Sequence, residues 1–434
     1  MNILEARCAG HVRLLAMLLA LGVGGHALAA APSAGPPFDG TPCDGPQRLC
    51  ASVDANTSAR SSSRSPSLTR AGSPLLALAD PAIQPRPAKP QANEPSPPPP
   101  PSSAPVRIAL LLPLRSATLA TAAEAVRAGF LAGMERDGTG FKADVIPTGD
   151  APRDVLDAYA RAAAASDIVV GPLARSAVAA LADSDAVTRP TIVLSVPEGR
   201  AAVPARMLVA GLSVEDEARQ VAEWAARDHP HGRALILTSG AAWARRAAGA
   251  FEARWRELGH TNQRYAMPAG EAGKVAIDEL KQKLDIDPPD LLFAALDSTV
   301  LRAVRATIGT AIPCYGGGAA NPGRTLQADD RGLDGVRILD LPWIVLPDHP
   351  VVMVYPRPLD AEQPLDMDRL YALGIDAFRV ARELALRGGA PFGVDGVTGQ
   401  LDVMPEPDGR LQLRRQEAAV ILRDGQFDPV DKAR

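Results

Sequence analysis

Sequence motifs for catalysis are scarce in this chain of 434 residues. It contains no G-x-S-x-G nucleophile elbow and no G-x-x-x-x-G-K-[ST] phosphate loop. The glycines at 316–318 lack the spacing of a dinucleotide fingerprint, and His229 and His231 flank a proline with no third metal ligand in view. Because no nucleophile, base and orienting group can be assembled, the sequence predicts a protein that is not an enzyme and needs no cofactor or metal.

Aromatic residues and net charge are also low. Phe, Trp and Tyr make up 4% of the chain, and the formal net charge is -4 with a pI near 5.9. So mild an acidity gives no general attraction to nucleic acid or to anionic lipid. The hydrophobic fraction of 46% indicates a globular protein, long enough for two or three domains.

The N-terminus has the pattern of an export signal over residues 1–29. Arg7 and Arg13 precede the apolar run LLAMLLALGVG, and the small-x-small sequence ALA ends at Ala29. The run is too short to span a bilayer stably, so cleavage is preferred over the alternative of an uncleaved anchor. Cys8 precedes the run and Cys43 lies well beyond it, so no lipobox is seen. The sequence therefore predicts a soluble periplasmic protein.

The chain has four cysteines, of which three follow the predicted cleavage site. Cys43 and Cys50 lie in one loop-like stretch, TPCDGPQRLC, and could close a small disulfide in an oxidising compartment. A metal site there is the weaker interpretation, since no histidine lies nearby. Cys314 has apolar neighbours, which predict a buried and inert thiol.

Residues 30–105 hold no sustained hydrophobic periodicity. They are rich in Ser, Ala and Pro and include the run EPSPPPPPSSAP. Such a segment buries too little apolar surface to offset its ordering entropy, so we expect a disordered linker with a polyproline II end.

The composition changes at Val106, where strand and helix patterns begin to alternate. Continuous apolar runs such as VRIALLLPL are typical of buried parallel strands, and the helices between them predict βαβ units. The alternation restarts near residue 212 with SVED, a predicted capping box. We therefore expect two doubly wound lobes, with 106–211 as lobe 1 (completed by about 338–395) and 212–337 as lobe 2 (completed by about 396–434). Turn signals after residue 393 predict a short antiparallel tail.

The predicted strand ends carry the candidate ligand-binding residues. In open α/β sheets, ligands collect beyond the carboxyl ends of the strands. Small hydroxyl groups and free amides there suit a carboxylate or an amide, although the same residue types also serve as turns and caps. The candidates are Ser116, Gly171, Pro172, Ser195, Ser239 and Asp297.

A glycine lies inside the strong helix pattern RLYALGIDAFRVARELALRG at 369–388. Glycine within a helix costs about 1 kcal/mol relative to alanine. Since Ala372, Ala377 and Ala381 lie near it, we interpret Gly374 as a close packing contact between the helix and a sheet or lobe, and not as a ligand site.

Four stretches carry a family resemblance. RIALLLPL, DIVVGPLARSAVAAL, RLYALGIDAFRVA and GVTGQLDV resemble the C-terminal domain of the LpoA family, the activators of class A penicillin-binding proteins, over about residues 106–430. That domain has the two-lobed fold of type I periplasmic binding proteins. The family's lipid-anchored members begin with a lipobox cysteine and carry a helical repeat domain, where this chain has the proline-rich linker.

The resemblance implies a non-catalytic periplasmic regulator of peptidoglycan synthesis. Its expected partner is a class A penicillin-binding protein, a peptidoglycan synthase, and membrane association is expected only through that partner. The alternative is a solute-binding protein for an amino acid or a similar small ligand held in the cleft. LSVPEGR after the fourth strand is a poor clamp for an α-carboxylate, which favours the first hypothesis.

Overall fold

The computed structural model describes residues 104–199, 203–324, 328–358 and 364–430, with only the backbone of residues 328 and 329. The predicted signal peptide, nearly all of the predicted linker and the predicted Cys43–Cys50 disulfide lie outside this range. Among the described helices, none combines the length and the apolar character needed to cross a bilayer.

The first half of the chain alternates strands with helices. The strands are β1 (Val106–Leu112), β2 (Phe141–Pro147), β3 (Ile168–Val170), β4 (Thr191–Val193) and β5 (Met207–Val209). The helices between them are α1 (Ala120–Asp137), α2 (Pro152–Ala165) and α3 (Arg175–Ala182). These strands form one parallel sheet in the order β2-β1-β3-β4-β5.

The second half repeats the alternation. The next elements are α4 (Val214–Asp228), β6 (Arg233–Ser239), α5 (Ala242–Glu257), β7 (Thr261–Met267), α6 (Glu271–Ile286), β8 (Leu291–Ala295), α7 (Ser298–Ile308), β9 (Cys314–Gly316) and β10 (Val336–Asp340). Short 3-10 segments follow β9 at Gly318–Ala320 and Ala328–Leu333. The predicted cap of α4 is confirmed, since the Ser213 side chain accepts the N–H of Asp216 at 3.1 Å.

The C-terminal part begins with three helices, α8 (Pro342–Val345), α9 (Pro350–Met353) and α10 (Leu365–Arg387). Five strands follow: β11 (Phe392–Gly396), β12 (Gly399–Pro405), β13 (Leu411–Gln416), β14 (Ala418–Arg423) and β15 (Gln426–Pro429). β11, β12 and β13 form a separate antiparallel sheet, and the β14–β15 hairpin extends the second sheet, whose order is β15-β14-β10-β9-β8-β6-β7. The predicted antiparallel tail is therefore confirmed.

Two segments lie near the positions at which the chain was expected to cross between lobes. Residues 336–340 form β10 of the second sheet, where the sequence placed the return to lobe 1 at about 338. β12 lies after the predicted second crossing at about 396, yet its Leu401 and Val403 pack into the core of the first sheet. A pattern along the chain does not reveal which sheet a strand joins, so the expected bounds of the two lobes stay predictions. The remaining domain division stays a prediction.

The side chains of β1 point alternately into two cores, which explains why the whole strand is apolar. Ile108 and Leu110 pack into a core that includes α1 and α10, whereas Ala109 and Leu111 pack into a second core with α2 and α3. All four side chains are fully buried. A parallel strand covered by helices on both faces has no solvent side, so no polar alternation remains in its sequence.

The glycine in α10 lies where this helix crosses α1. A Cβ on Gly374 would collide with the carbonyl oxygen of Val126 and lie 2.7 Å from the amide nitrogen of Phe130. In the opposite direction, a Cβ on Gly129 of α1 would collide with the carbonyl oxygen of Tyr371. The predicted close contact is present, and its partner is a helix.

Two of the family-like stretches are joined by one buried carboxylate. Asp376 of α10 accepts hydrogen bonds from the amides of Val397 (3.1 Å) and Thr398 (2.7 Å) and from the Thr398 hydroxyl (2.6 Å). These donors form the β11–β12 turn, so Asp376 fixes the turn of GVTGQLDV onto the helix of RLYALGIDAFRVA.

We expect both Gly374→Ala and Gly374→Val to destabilise the protein, although alanine has the better helix propensity. The added Cβ meets rigid backbone, and overpacking of this kind costs about 1–3 kcal/mol in the free energy of unfolding. Thermal and urea melts measure the effect. Gly240→Ala is the control, because nothing lies within 4 Å of a Cβ there. Melts of the Gly374 variants that match the wild type would contradict the close contact.

Asp376→Ala should lower the free energy of unfolding by about 1–3 kcal/mol, because it leaves buried donors of Val397 and Thr398 without an acceptor. Urea denaturation measures this change. Asp395→Ala is the control, since that side chain is exposed on β11. An equal effect of both substitutions would show that Asp376 does not hold the turn.

Candidate functional site

A cavity of about 580 Å³ lies at the carboxyl ends of β8, β9 and β10. The first turns of α4 and α10 complete its wall, and both helices follow segments in which the chain passes between the two lobes. Its described lining residues include five carboxyl side chains and one guanidinium, listed here in chain order: Glu217, Asp297, Asp340, Asp366, Arg369 and Glu417.

The guanidinium of Arg369 is held by four acceptors. Its Nε and Nη2 donate to the two carboxylate oxygens of Asp340 at 3.1 and 2.7 Å. Nη1 donates to Asp366 at 2.9 Å, and Nη2 also donates to the carbonyl of Gly318 at 2.8 Å. Burial acts to lower the pKa of Arg369, but the carboxylate of Asp340 outweighs it and the pKa is raised. This cation is therefore committed to the protein's own groups.

Glu217 of α4 reaches the loop that follows β9. Its Oε1 accepts the amide of Gly318 at 2.9 Å. A Cβ on Gly317 would collide with the same carboxylate oxygen, so the glycine is required for this close approach. Burial raises the pKa of Glu217 well above its ordinary value, and the carboxylates of Glu417 and Asp340 raise it further.

Glu417 lies between β13 and β14 and is 8% exposed. Its Oε2 is buried with no hydrogen-bond partner among the described residues. The adjacent Arg415 directs its donors elsewhere, to the carbonyls of Ala210 (2.6 Å) and Gly211 (3.1 Å) and to the Thr398 hydroxyl (3.1 Å). Burial raises the pKa of Glu417 to about 8, because the charged form is poorly solvated there.

Much of the rest of the wall is apolar. Leu212, Trp243 and Leu370 are partly buried and line the cavity, with the buried ring of Phe293 beside them. The site thus combines an aliphatic and aromatic surface with a set of carboxyl groups of which only Asp340 and Asp366 pair with the cation in the wall.

Three of the residues predicted from the sequence lie in the first lobe with local partners. The Ser116 hydroxyl donates to Asp150 at 2.7 Å and accepts the amide of Leu119 at 3.0 Å. The amide of Gly171 donates to the carbonyl of Ile192, and the Pro172 carbonyl accepts the amide of Leu194. These groups maintain the start of α1 and the first sheet, and their role in ligand binding stays a prediction.

Of the other three predicted residues, only Asp297 lines one of the two cavities described. Asp297 lines the cavity described above and also accepts the Val300 amide at 3.0 Å, which caps α7. The Ser239 hydroxyl accepts the amide of Ala241 at 3.4 Å, and Ser195 adjoins Val196 in the wall of a neighbouring cavity of about 620 Å³. The structure thus brings only Asp297 of the six to the acidic cavity, and the ligand role of all six stays a prediction.

The sequence reasoning missed Glu217, Asp340, Arg369 and Glu417. Asp340 carried the signal already used for Asp297, an acid directly after an apolar strand, but residues 336–340 were not assigned to a strand. For the other three no local pattern was available, because they come from two helices and a turn far apart in the chain.

The described residues contain no group of three or more His, Cys, Asp and Glu side chains that could hold a metal ion. Cys314 is fully buried, and burial raises the pKa of its thiol to about 11. The prediction of a buried, unreactive thiol at this position is therefore confirmed.

Glu417→Gln should change how stability depends on pH. A carboxyl group whose pKa is raised in the folded state binds more protons when folded, so its contribution is full below its ordinary pKa of 4.5 and is lost as pH rises to about 8. Each pKa unit corresponds to about 1.4 kcal/mol. Denaturant melts from pH 4 to 9 should show a smaller loss of stability in the variant. Parallel curves for both proteins would contradict the raised pKa.

Comparison with known proteins places this geometry in a family. The profile described as "LppC putative lipoprotein" matches residues 102–409, well over half of the chain. The penicillin-binding protein activator LpoA of Photobacterium profundum is 25% identical over 356 residues, which is 73% of this chain and 56% of that protein. The chain spans about half the length of the curated relatives it matches.

Solved structures match the same region. A Chromobacterium violaceum protein named "putative branched-chain amino acid ABC transporter" is 34% identical, with a TM-score of 0.60 over 73% of this chain and 100% of that one. The LpoA C-domain of Haemophilus influenzae, described as a regulator of PBP1A, is 19% identical, with a TM-score of 0.59 over 75% of this chain and 99% of that one.

These matches confirm the predicted two-lobed fold of type I periplasmic binding proteins. The expectation that no lipid anchor is present gains no support from them, because the family is named for a lipoprotein. The chain belongs to the LppC family, whose relatives include the penicillin-binding protein activators LpoA.

Proposed function

We propose that this protein is a non-catalytic regulator of peptidoglycan synthesis in the periplasm, which activates a class A penicillin-binding protein by direct contact. The observation that carries the proposal is the family match over residues 102–409, which coincides with the folded two-lobed domain. The relatives named LpoA are activators of penicillin-binding proteins, and the matched half of their length is the half that this fold represents.

The charge of the cavity supports a regulator over a receptor for amino acids. An α-carboxylate needs free donors or a free cation, but the guanidinium of Arg369 is already shared among Asp340, Asp366 and Gly318. The remaining carboxyl groups in the described wall offer a ligand carboxylate no further cation. The hydroxyl of Ser213, which also lines the cavity, accepts the amide of Asp216 and donates to Glu215.

A solute-binding protein is the second candidate function. The 34% identity to the Chromobacterium violaceum protein, which is named for amino-acid transport, favours it. The excess of carboxyl groups in the cavity argues against this function, because an amino acid would bring its own carboxylate close to them.

Contact with the synthase should be polar and moderate in area. The chain has few aromatic residues to act as anchors and a net charge of only -4. Interfaces with these properties bury little apolar area, so we expect a micromolar or weaker complex.

The test is a reconstituted peptidoglycan synthesis assay with purified class A penicillin-binding protein and the mature chain. Addition of the chain should raise the rate of synthesis several-fold, with half-saturation in the micromolar range. A solute-binding protein of the same fold serves as the matched control. An unchanged rate, together with sub-micromolar calorimetric binding of one amino acid, would favour the second candidate instead.

A further inference from the structure

The acidic cavity holds more carboxyl groups than its own cation can pair with. Arg369 offsets Asp340, which leaves Glu217, Asp297, Asp366 and Glu417 as further carboxyl groups among the described lining residues. Like charges in one partly buried site raise one another's free energy, and a bound cation relieves this repulsion. The excess of carboxyl groups therefore favours a positively charged ligand.

An unsatisfied buried oxygen marks where such a ligand would be held. Oε2 of Glu417 has no hydrogen-bond partner, in a side chain that is more than nine-tenths buried and lines the cavity. An unpaired buried acceptor is unfavourable, and the hydrogen bonds of the two nearby arginines go to other acceptors: Arg369 to Asp340, Asp366 and Gly318, and Arg415 to Ala210, Gly211 and Thr398. Glu417 therefore has an unused acceptor oxygen in the cavity wall, which an N–H donor of a ligand would engage.

The apolar wall favours an organic cation over an inorganic one. Leu212 and Leu370 offer aliphatic surface to an alkyl stem, and Trp243 offers an aromatic face that attracts ammonium groups. The described carboxyl groups also lack the clustering that a metal ion requires. A ligand with an alkyl stem and an ammonium group therefore matches the apolar part and the carboxyl part of the cavity wall.

We propose that this cavity binds a small organic amine without a carboxylate, with its ammonium group donating to Glu417 and Glu217 and its alkyl stem against Trp243 and Leu370. The binding site is independent of the proposed contact with a synthase. Specificity comes from repulsion as well as attraction, because the same carboxyl groups reject any amine that carries a carboxylate of its own.

Calorimetric titration with cadaverine and lysine tests the proposal directly, since lysine is cadaverine with one added carboxylate. Cadaverine should bind measurably, and lysine at least tenfold more weakly, while leucine and glutarate give no heat. Absence of heat with cadaverine, or equal or tighter binding of lysine, would overturn the proposal.

A charge-matched pair of variants locates the site. Glu417→Gln should weaken cadaverine binding at least tenfold, whereas Glu279→Gln, which removes the same charge from an exposed position on α6, should leave it unchanged. Thermal melts confirm that both variants fold. Equal binding by Glu417→Gln and the wild type would show that the amine does not contact Glu417.

Proton release is a second readout that does not depend on affinity. The groups that face Glu417 are Asp216 and Glu217 of α4, Asp340 of β10, Arg369 of α10 and Arg415 of β13, and burial among them raises its pKa to about 8. An ammonium group that binds the carboxylate at pH 7 must therefore displace the Glu417 proton to solvent. Titrations in phosphate and in Tris should differ in heat for the wild type, and the difference should be smaller for Glu417→Gln, in which only Glu217 can still release a proton. Identical heats for the wild type in both buffers would contradict the assigned contact.

Discussion

The ion pair between Arg369 and Asp340 joins the two halves of the folded domain. Arg369 lies in the first turns of α10, and Asp340 ends β10 in the second sheet, with both carboxylate oxygens engaged by the guanidinium. Asn321 and the amide of Leu341 donate to the same carboxylate at 2.9 and 2.8 Å. A buried pair of this kind gains little net stability over apolar residues, but the loss of either partner would leave a buried charge without compensation. Its main consequence is geometric, because it fixes where α10 enters the cavity wall.

α10 also contributes side chains to a hydrophobic core on each of the two large sheets. Tyr371, Ala372 and Ile375 belong to the core of the second sheet, whereas Leu373, Ala377 and Phe378 belong to that of the first. A helix buried on most of its circumference cannot show a simple amphipathic stripe. Its close crossing with α1 demands glycine at the contact, and its buried Asp376 holds the β11–β12 turn. The distinctive residues of this helix are therefore explained by packing and not by ligand chemistry.

The acidic cavity is a result of the same arrangement. The ion pair consumes the cation of the wall, and the remaining carboxyl groups of Glu217 and Glu417 stay under mutual repulsion, with raised pKa values. A cleft with this charge is unsuited to an α-carboxylate, whatever the overall fold has in common with amino-acid receptors. Fold and ligand class are thus separable in this protein, because the fold depends on the sheets and the ligand class on a few side chains at their edge.

The sequence by itself determined the elements whose physics is local. The apolar run at 106–112 specified a strand covered on both faces, the Ser213 hydroxyl specified the start of α4, and Gly374 specified a close contact. The stretches at 171–173 and 370–377 also carried the more specific part of the family resemblance. Only the tertiary structure decided that β10 joins the second sheet and that α1 is the partner of Gly374. It alone assembled Glu217, Asp340, Arg369 and Glu417, because helix and strand periodicity record which face of an element is buried and carry no information on which distant element covers it.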